Sequence, residues 1–281
     1  MERAIHIAKL KNLEYFQKGR YQRIYWGAEF CQNFIPRAQD TDKVLRFARK
    51  NNLGFTLVTP LITEQGLKKI TKIIFLLKRK RIHCEVVVND WGVLGWLNEN
   101  FNDYFELVLG RLLVRQQRYP EITKTLERQS PFAVKSDSGD IVIYIHRLPD
   151  KCYRRGIKSS YINSPLAQQF LAKLGIKRIE FNNLIQGIDL TGIKFKKSIY
   201  TPFINISTTR FCPMDKRYQE LYRINVCHKE CQNYYDRLSI PWSPVVRYKK
   251  GNTVFYRNPV DESRAAAMGM DRIVFQPALP F

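Results

Sequence analysis

The chain has 281 residues, of which 44% are hydrophobic and 13% aromatic, and it contains no low-complexity tract. This length is large for an ordinary domain but normal for a single α/β barrel, which takes ~250 residues. No apolar run approaches the ~18–20 residues that cross a bilayer, and the N-terminal residues lack the apolar stretch of a signal peptide. We therefore expect a soluble, cytoplasmic protein without membrane insertion.

The net charge is +22, from 47 basic and 25 acidic residues. A field of this sign favours anionic partners, such as nucleic acid, phosphates, carboxylates or an acidic protein. Charge alone carries no specificity, and a basic run can equally be a solvated helix end. An anionic small molecule and RNA therefore both remain open as partners.

Strand and helix patterns alternate along the chain. Apolar runs predict strands at residues 4–8, 23–30, 54–62, 83–89, 106–110, 176–181, 198–206 and 271–276. Helical patterns predict helices at residues 12–18, from Asp40 or Thr41, from Thr63, from Ser164-Pro165, and through 264–268. The spacing of these elements suits right-handed crossovers between parallel strands.

This alternation fits either a closed barrel or a doubly wound sheet, and the sequence favours the barrel because it has no phosphate-binding glycine fingerprint. The predicted fold class is α/β: a single TIM-barrel-like domain over residues 1–281, with an incomplete or modified barrel left open. Residues 115–160 are too long for a simple connection and predict an insertion. Within it, strands at 132–136 and 141–146 flank a turn and predict a hairpin.

Four of the six cysteines have positions that suit a shared metal site: Cys31, Cys212, Cys227 and Cys231, called here the four-cysteine set. Clustered thiols in a reducing compartment more often bind metal or do chemistry than form disulfides. Cys227 and Cys231 are four residues apart, which places both sulfurs on one face if the segment is helical. Cys31 and Cys212 each follow a predicted strand, and the strand ends of a parallel barrel gather on one rim.

Buried cysteines also serve as small hydrophobic residues, so spacing alone leaves a purely structural role open for each of them. Cys84 and Cys152 are not expected to be ligands, because Cys84 enters a strand at its opposite end and Cys152 lies in the insertion.

At these residues the chain resembles the peptidase family called U-thirty-two, the collagenase-like peptidases, and within it the UbiV-type proteins of oxygen-independent ubiquinone biosynthesis. The similar blocks occur in order along the chain: residues 24–31 (Ile-Tyr-Trp-Gly-Ala-Glu-Phe-Cys), 87–92 (Val-Val-Asn-Asp-Trp-Gly), 109–113 (Leu-Gly-Arg-Leu-Leu), and 209–212 (Thr-Arg-Phe-Cys) followed by Cys227 and Cys231. The ordered set is specific, whereas each block alone is weak.

The resemblance implies a 4Fe–4S cluster held by the four-cysteine set, a paralogous partner, and a role in hydroxylation or redox chemistry without oxygen. Zinc on the same thiols is the alternative metal. Peptidase activity is not expected, because no serine or cysteine nucleophile has a plausible histidine partner.

Four polar residues are candidates for the rim of the barrel in this interpretation. Glu29 and Asp90 are the candidate catalytic acids or bases, while Asn89 and Arg111 are candidates for substrate binding, with Arg111 suited to an anionic substrate. Each of them has a structural alternative, a hydrogen bond that only stabilises the rim. A second function class also stays open: a non-catalytic RNA- or protein-binding factor with a structural metal site.

Overall fold

Eight parallel strands close into a barrel at the centre of the protein. The computed structural model describes residues 1–101, 103–122, 132–135, 137–144, 150–210, 212, 214 and 227–281. In chain order its strands are β1 (Glu2–Ile7), β2 (Arg23–Gly27), β3 (Gly54–Val58), β4 (Glu85–Val88), β5 (Glu106–Leu109), β6 (Phe132–Lys135), β7 (Ile141–Tyr144), β8 (Ile176–Asn182), β9 (Lys196–Thr201), β10 (Phe203–Thr208), β11 (Asp236–Leu238), β12 (Arg247–Lys250), β13 (Thr253–Arg257) and β14 (Arg272–Phe275). The barrel order is β1-β2-β3-β4-β5-β8-β9-β14, with β14 pairing back to β1, which confirms the predicted α/β barrel.

The helices lie outside this barrel. They are α1 (Ala38–Lys50), α2 (Glu64–Arg79), α3 (Trp91–Asn100), α4 (Lys151–Gly156), α5 (Pro165–Lys173) and α6 (Glu262–Ala267). The predicted starts after Thr63 and Ser164 are confirmed, whereas α1 begins at Ala38, before the predicted Asp40 or Thr41. Thr41 does not cap α1, because its hydroxyl donates to the Arg37 carbonyl and accepts from the Trp26 indole at 3.0 Å. The segment predicted as a helix at 12–18 is instead a short 3-10 helix at Leu10–Tyr15.

The inside of the barrel is filled by side chains, so it is a core and not a channel. Its middle layer is apolar and aromatic: Ala4, Tyr25, Val58, Val87, Val108, Tyr200 and Val274. A larger apolar core lies between the outer faces of the strands and the helices, as the alternation of inward and outward side chains requires.

A group of charged side chains closes the amino-terminal end of the barrel: Glu2, Arg23, Glu85, Arg178 and Arg272, called here the basal charge cluster. At its centre Arg272 donates to both carboxylate oxygens of Glu85, at 2.6 and 2.9 Å. Glu85, Arg178 and Arg272 are buried, while Glu2 and Arg23 are half-buried. Each charge has an opposite charge beside it, as buried ions require.

A second, antiparallel sheet of order β10-β13-β12-β11 lies between β9 and α6 in the chain, and the sequence did not predict it. The single strand predicted at 198–206 is wrong, because Pro202 separates β9 of the barrel from β10 of the second sheet. Proline has no N–H to donate, so it suits the point at which the chain leaves the barrel ladder.

The predicted hairpin within the insertion is confirmed by the antiparallel pairing of β6 with β7. The rest of the predicted insertion includes residues 123–131, 136 and 145–149, which lie outside the described residues, as do the predicted strand ends at Ser136 and His146. None of the helices in the described part of the chain has the length and apolarity to span a membrane.

Candidate metal centre

Cys31 lies four residues beyond the carboxyl end of β2, where the chain leaves the barrel. Gly27 makes this exit possible: its φ is +132°, and a Cβ at this position would lie 2.3 Å from the Val58 carbonyl oxygen. Cys31 then begins the 3-10 helix Gln32–Phe34. The predicted position of Cys31 on the carboxyl-terminal rim is therefore correct.

The other three members of the four-cysteine set belong to the second sheet and its connections, not to the barrel rim as predicted for Cys212. Cys212 follows β10, while Cys231 lies in the 3-10 helix Glu230–Gln232 and is buried. The predicted α-helical face for Cys227 and Cys231 is wrong. Lys229 between them has a φ of +63°, a left-handed conformation that no α-helix contains. A backbone N–H from Lys229 points back to the Cys227 sulfur at 3.4 Å.

Asn252 ties the segment of Cys31 to the segment of Cys212. Its buried side-chain amide donates to the Phe30 carbonyl at 2.9 Å and to the Thr209 carbonyl at 2.6 Å. A backbone hydrogen bond from Thr209 to the Asn252 carbonyl completes the link. In the same region the Tyr234 hydroxyl donates to the Met214 carbonyl at 3.4 Å, which joins the Cys231 segment to the Cys212 segment. The segments of Cys31 and Cys212, which are 181 positions apart in the sequence, are thus tied together through Asn252.

Aromatic packing supports this arrangement. Phe30 packs against Phe255 and Phe281, with ring centroids 5.1 and 6.0 Å apart, and Cys231 and Met214 belong to the same apolar cluster. Cys31 and Cys212 pack on the edge of this cluster. The side chains of Cys31, Cys212 and Cys231 therefore lie at an apolar junction between the barrel and the second sheet, with Cys231 buried and the other two half-buried.

The electrostatics of the thiols indicate that all four are neighbours. Burial raises the pKa of Cys31 to about 11, and the charges of Cys227 and Cys212 raise this pKa further. Burial likewise raises the pKa of Cys231 to about 12, with contributions from Cys212, Cys31 and Cys227. Cys84 is different, because its raised pKa comes from burial and from Glu85 at the opposite end of the barrel. Cys152 is exposed in α4.

The four thiols are neighbours, but they are not arranged as the ligands of a metal ion. Among the residues that the structure describes, no group of three or more His, Cys, Asp or Glu side chains is arranged to hold a metal ion. Charge interactions extend farther than a metal–ligand bond, so both observations hold together. The thiols are neighbours that a bound metal would still have to draw together. As donors they fit an iron–sulfur cluster or zinc, which both take four thiolates.

Arg111 and Glu29 form a fully buried ion pair below this junction, as two parallel hydrogen bonds of 2.5 and 2.8 Å. The remaining guanidinium N–H groups donate to the Asn182 side chain, the Phe203 carbonyl and the Gln276 side chain. The guanidinium carbon also lies 4.1 Å from the centre of the Tyr200 ring. All five donors have partners within the protein, so this geometry leaves none for an anionic substrate.

Asn89 and Asp90 lie next to each other at the end of β4, and both make hydrogen bonds to the backbone. Asn89 bridges the Thr59 carbonyl and the Leu112 N–H. This position needs glycine at residue 110, since a Cβ there would lie 2.2 Å from the Asn89 oxygen. Asp90 caps α3 by accepting from the N–H groups of Gly92 and Val93. The catalytic and substrate-binding roles of these residues stay predictions, and their contacts agree with the structural alternative.

A polar layer inside the upper barrel was missed by the sequence reasoning. Burial raises the pKa of Glu180 to about 8, with a further contribution from Glu29, and one oxygen of Glu180 accepts from the Tyr200 hydroxyl at 2.7 Å. Burial lowers the pKa of His6, whose ring contacts the Gly27 carbonyl and the Gln276 amide. Inward-pointing polar residues at alternate strand positions are the signal that could have revealed this layer.

Comparison with known proteins gives one likeness of structure. No family model matches the sequence, and no curated protein matches it. A solved structure described as that of the U32 peptidase Mk0906 is similar, with a TM-score of 0.47 and 10% sequence identity over 99% of this chain and 93% of that chain. The assignment of the barrel rests on strand pairing within this chain, independently of that likeness.

Proposed function

We propose that the protein is an iron–sulfur protein whose four-cysteine set holds a 4Fe–4S cluster. The observation that carries the proposal is the approach of four thiols from separate parts of the chain. Cys31, Cys212 and Cys231 pack in one apolar cluster, and Cys227 lies in the turn that leads into Cys231. Four thiolates are the usual ligand complement of such a cluster. Cys84 and Cys152 lie elsewhere, so the convergence is selective.

The surroundings of the thiols suit a redox centre. A 4Fe–4S cluster supplies one-electron transfer when bound, and burial and nearby hydrogen bonds tune its potential. Here Phe30, Phe255 and Phe281 exclude water from one side, while the hydrogen bonds of Asn252 hold the two cysteine-bearing segments in register.

The finer proposal is that the cluster serves an oxygen-independent hydroxylation or redox step, together with a paralogous partner chain. It is supported by the ordered resemblance to UbiV-type proteins at residues 24–31, 87–92, 109–113 and 209–212. All five guanidinium N–H groups of Arg111 already donate to partners within the protein. The substrate of such a step would therefore be bound outside the barrel interior or by groups of the partner.

The test is metal and sulfide analysis of protein purified without oxygen. We expect a brown, oxygen-sensitive protein with about four iron and four sulfide per chain, which dithionite reduces reversibly by one electron. Alanine at any member of the four-cysteine set should lower the iron content severalfold. The matched controls, Cys84→Ala and Cys152→Ala, should retain their iron. Colourless protein with stoichiometric zinc, or iron that survives all four substitutions, would refute the proposal.

A second function, binding of RNA with a structural metal, is favoured by one observation on the second sheet. One exposed aromatic side chain, Tyr235, lies there beside the half-buried Tyr248 and a basic group: the two rings are 5.9 Å apart, and the Lys250 ammonium lies 6.0 Å from the Tyr235 ring. Stacking surfaces beside cations suit single-stranded nucleic acid. Zinc in the metal analysis, together with salt-sensitive binding of a short single-stranded RNA, would support this function instead.

A further inference from the structure

A cleft of about 340 Å³ lies on the outer face of β1 and β14, away from the inside of the barrel. In a complete barrel the helix that follows the last strand covers this face. Here β14 ends at Phe275 and the chain then runs to Phe281, which packs against Phe30 at the junction with the second sheet. Residues 276–281 therefore leave this face of the barrel uncovered.

The floor of the cleft is apolar and aromatic. Tyr21 and Phe275 stack with ring planes 17° apart, and Ile273 and Val260 line the same surface. The volume lies within the range of ~300–1,000 Å³ that small-molecule sites occupy, and such sites are mostly apolar with a few polar groups.

The rim of the cleft carries unmatched positive charge. Its two carboxylates are already engaged: Glu262 pairs with Arg3 at 3.7 Å, and Asp261 caps α6 by accepting from the Arg264 N–H at 2.8 Å. Arg20 lies over both aromatic rings, 5.7 and 5.9 Å from their centres, and Arg257 is exposed on the rim. Within the described part of the chain, neither of these two arginines has a carboxylate partner.

We propose that this cleft, called here the outer cleft, binds a small molecule with an aromatic body and one anionic group. The Phe275 ring, supported by the buried Tyr21 ring, would receive the aromatic body, and Arg20 and Arg257 would receive the charge. Guanidinium groups suit this task because they stack on aromatic faces and donate to carboxylate, sulfonate or phosphate oxygens. The site is independent of the four-cysteine set and of any metal there.

The test uses two fluorescent probes of similar shape, anilinonaphthalene sulfonate and the uncharged phenylnaphthylamine, on the full chain. We expect saturable binding of both, with the sulfonate bound more tightly. Arg257→Gln and Arg20→Gln should each weaken sulfonate binding by about three- to tenfold and leave phenylnaphthylamine binding unchanged. Arg264→Gln, an exposed arginine on α6 outside the cleft, is the matched control and should change neither.

Three outcomes would overturn the proposal. They are sulfonate binding that does not saturate, an equal loss in the Arg264→Gln control, and equal loss of both probes in the Arg257→Gln variant. Light scattering on the same samples tests whether another protein chain occupies the cleft instead. A dimer that dissociates on Arg257→Gln would assign the outer cleft to a second copy of the chain and would also overturn the proposal.

Discussion

Arg111 and Glu29 have no exposed side-chain surface, and each depends on the other for its charge to be tolerated. Removing one member of a buried pair leaves an unpaired buried charge and typically costs about 3–5 kcal/mol. We therefore expect Arg111→Leu to lower the free energy of unfolding by about this amount in urea titrations. Arg46→Gln, on the exposed face of α1, is the control and should change stability by less than about 0.5 kcal/mol.

The double variant Glu29→Gln with Arg111→Leu separates charge from packing. If the loss comes from the unpaired carboxylate, the double variant should regain part of the stability lost by Arg111→Leu alone. A double variant no more stable than Arg111→Leu would mean that the lost packing and hydrogen bonds of Arg111 dominate.

Glu85, in the basal charge cluster, should make the free energy of unfolding depend on pH in the acidic range. Burial opposes its ionisation, but the hydrogen bonds and charge of Arg272, with the charge of Arg23, outweigh burial and lower the pKa of Glu85 to about 2. Because the folded pKa lies below the unfolded value near 4.5, its contribution is present above about pH 4.5 and is lost as the pH falls toward 2. The contribution is on the order of 3 kcal/mol.

Unfolding of Glu85→Gln, measured in urea from pH 6 to pH 2.5, checks this account. The variant should be less stable than the parent chain at pH 6, and the difference should shrink as the pH falls. Glu106 on the neighbouring strand β5 has an exposed carboxylate, so Glu106→Gln serves as the control. A difference between parent and Glu85→Gln that stays constant over this range would contradict the lowered pKa.

At the scale of elements, the strands of the barrel were predictable because they are buried on both faces. Runs such as Val86, Val87 and Val88 have no alternation, and β4 is found where they lie. The second sheet was not predictable in this way, since β11 and β12 are short, polar and half-exposed. The spacing of Cys227 and Cys231 suggested a helix, but the left-handed backbone at Lys229 cannot be read from spacing.

The approach of the Cys31 and Cys212 segments was predictable from the sequence, whereas the residues that hold these segments together were not. Cys31 and Cys212 were expected to meet, and their segments do lie together, although only Cys31 follows a barrel strand. The role of Asn252 was not predicted, because nothing in the sequence indicates that this one asparagine in a turn contacts Phe30 and Thr209. The Arg111 prediction overlooked Glu29 as its partner, because the two are 82 positions apart in the sequence.

Asn252 provides a prediction about how the second sheet is held to the barrel. Asn252→Ala leaves two carbonyls without their side-chain donor, and we expect the free energy of unfolding to fall by about 1–3 kcal/mol. We also expect anaerobically purified protein to contain severalfold less iron, although no thiol has changed.

The matched control is Asn258→Ala, which removes a hydrogen bond of 2.8 Å to the Asn183 carbonyl away from the cysteines. It should lower stability similarly and leave the iron content unchanged. Equal iron contents in the two variants would mean that Asn252 does not position the cysteine-bearing segments.

At the scale of the whole molecule, both ends of the barrel interior are closed by charged side chains. The basal charge cluster fills one end, and the Arg111–Glu29 pair, with the polar layer beneath it, fills the other. The proposed metal site lies outside this filled interior, at the junction between the barrel and the second sheet. Metal binding there would add a further link between two parts of the fold that already meet through hydrogen bonds, two apolar clusters and the Arg247–Glu121 ion pair.

This architecture predicts where metal binding should stabilise the protein. A ligand that binds only the folded state raises the free energy of those local opening reactions that release the ligand. It leaves the free energy of other opening reactions unchanged. Three of the four proposed ligands lie in the second sheet and its connections, so openings that separate this sheet from Cys31 would break the site.

Reconstitution with iron and sulfide should therefore slow amide hydrogen exchange in β10, β12 and β13 by at least about tenfold, while β3, β4 and β5 of the barrel change little. Hydrogen-exchange mass spectrometry of the apo and reconstituted chain measures this difference. Cys231→Ala should abolish the gain, and Cys84→Ala, a buried thiol at the other end of the barrel, should keep it. Equal slowing across barrel and second sheet would instead indicate that the two parts open as one cooperative unit.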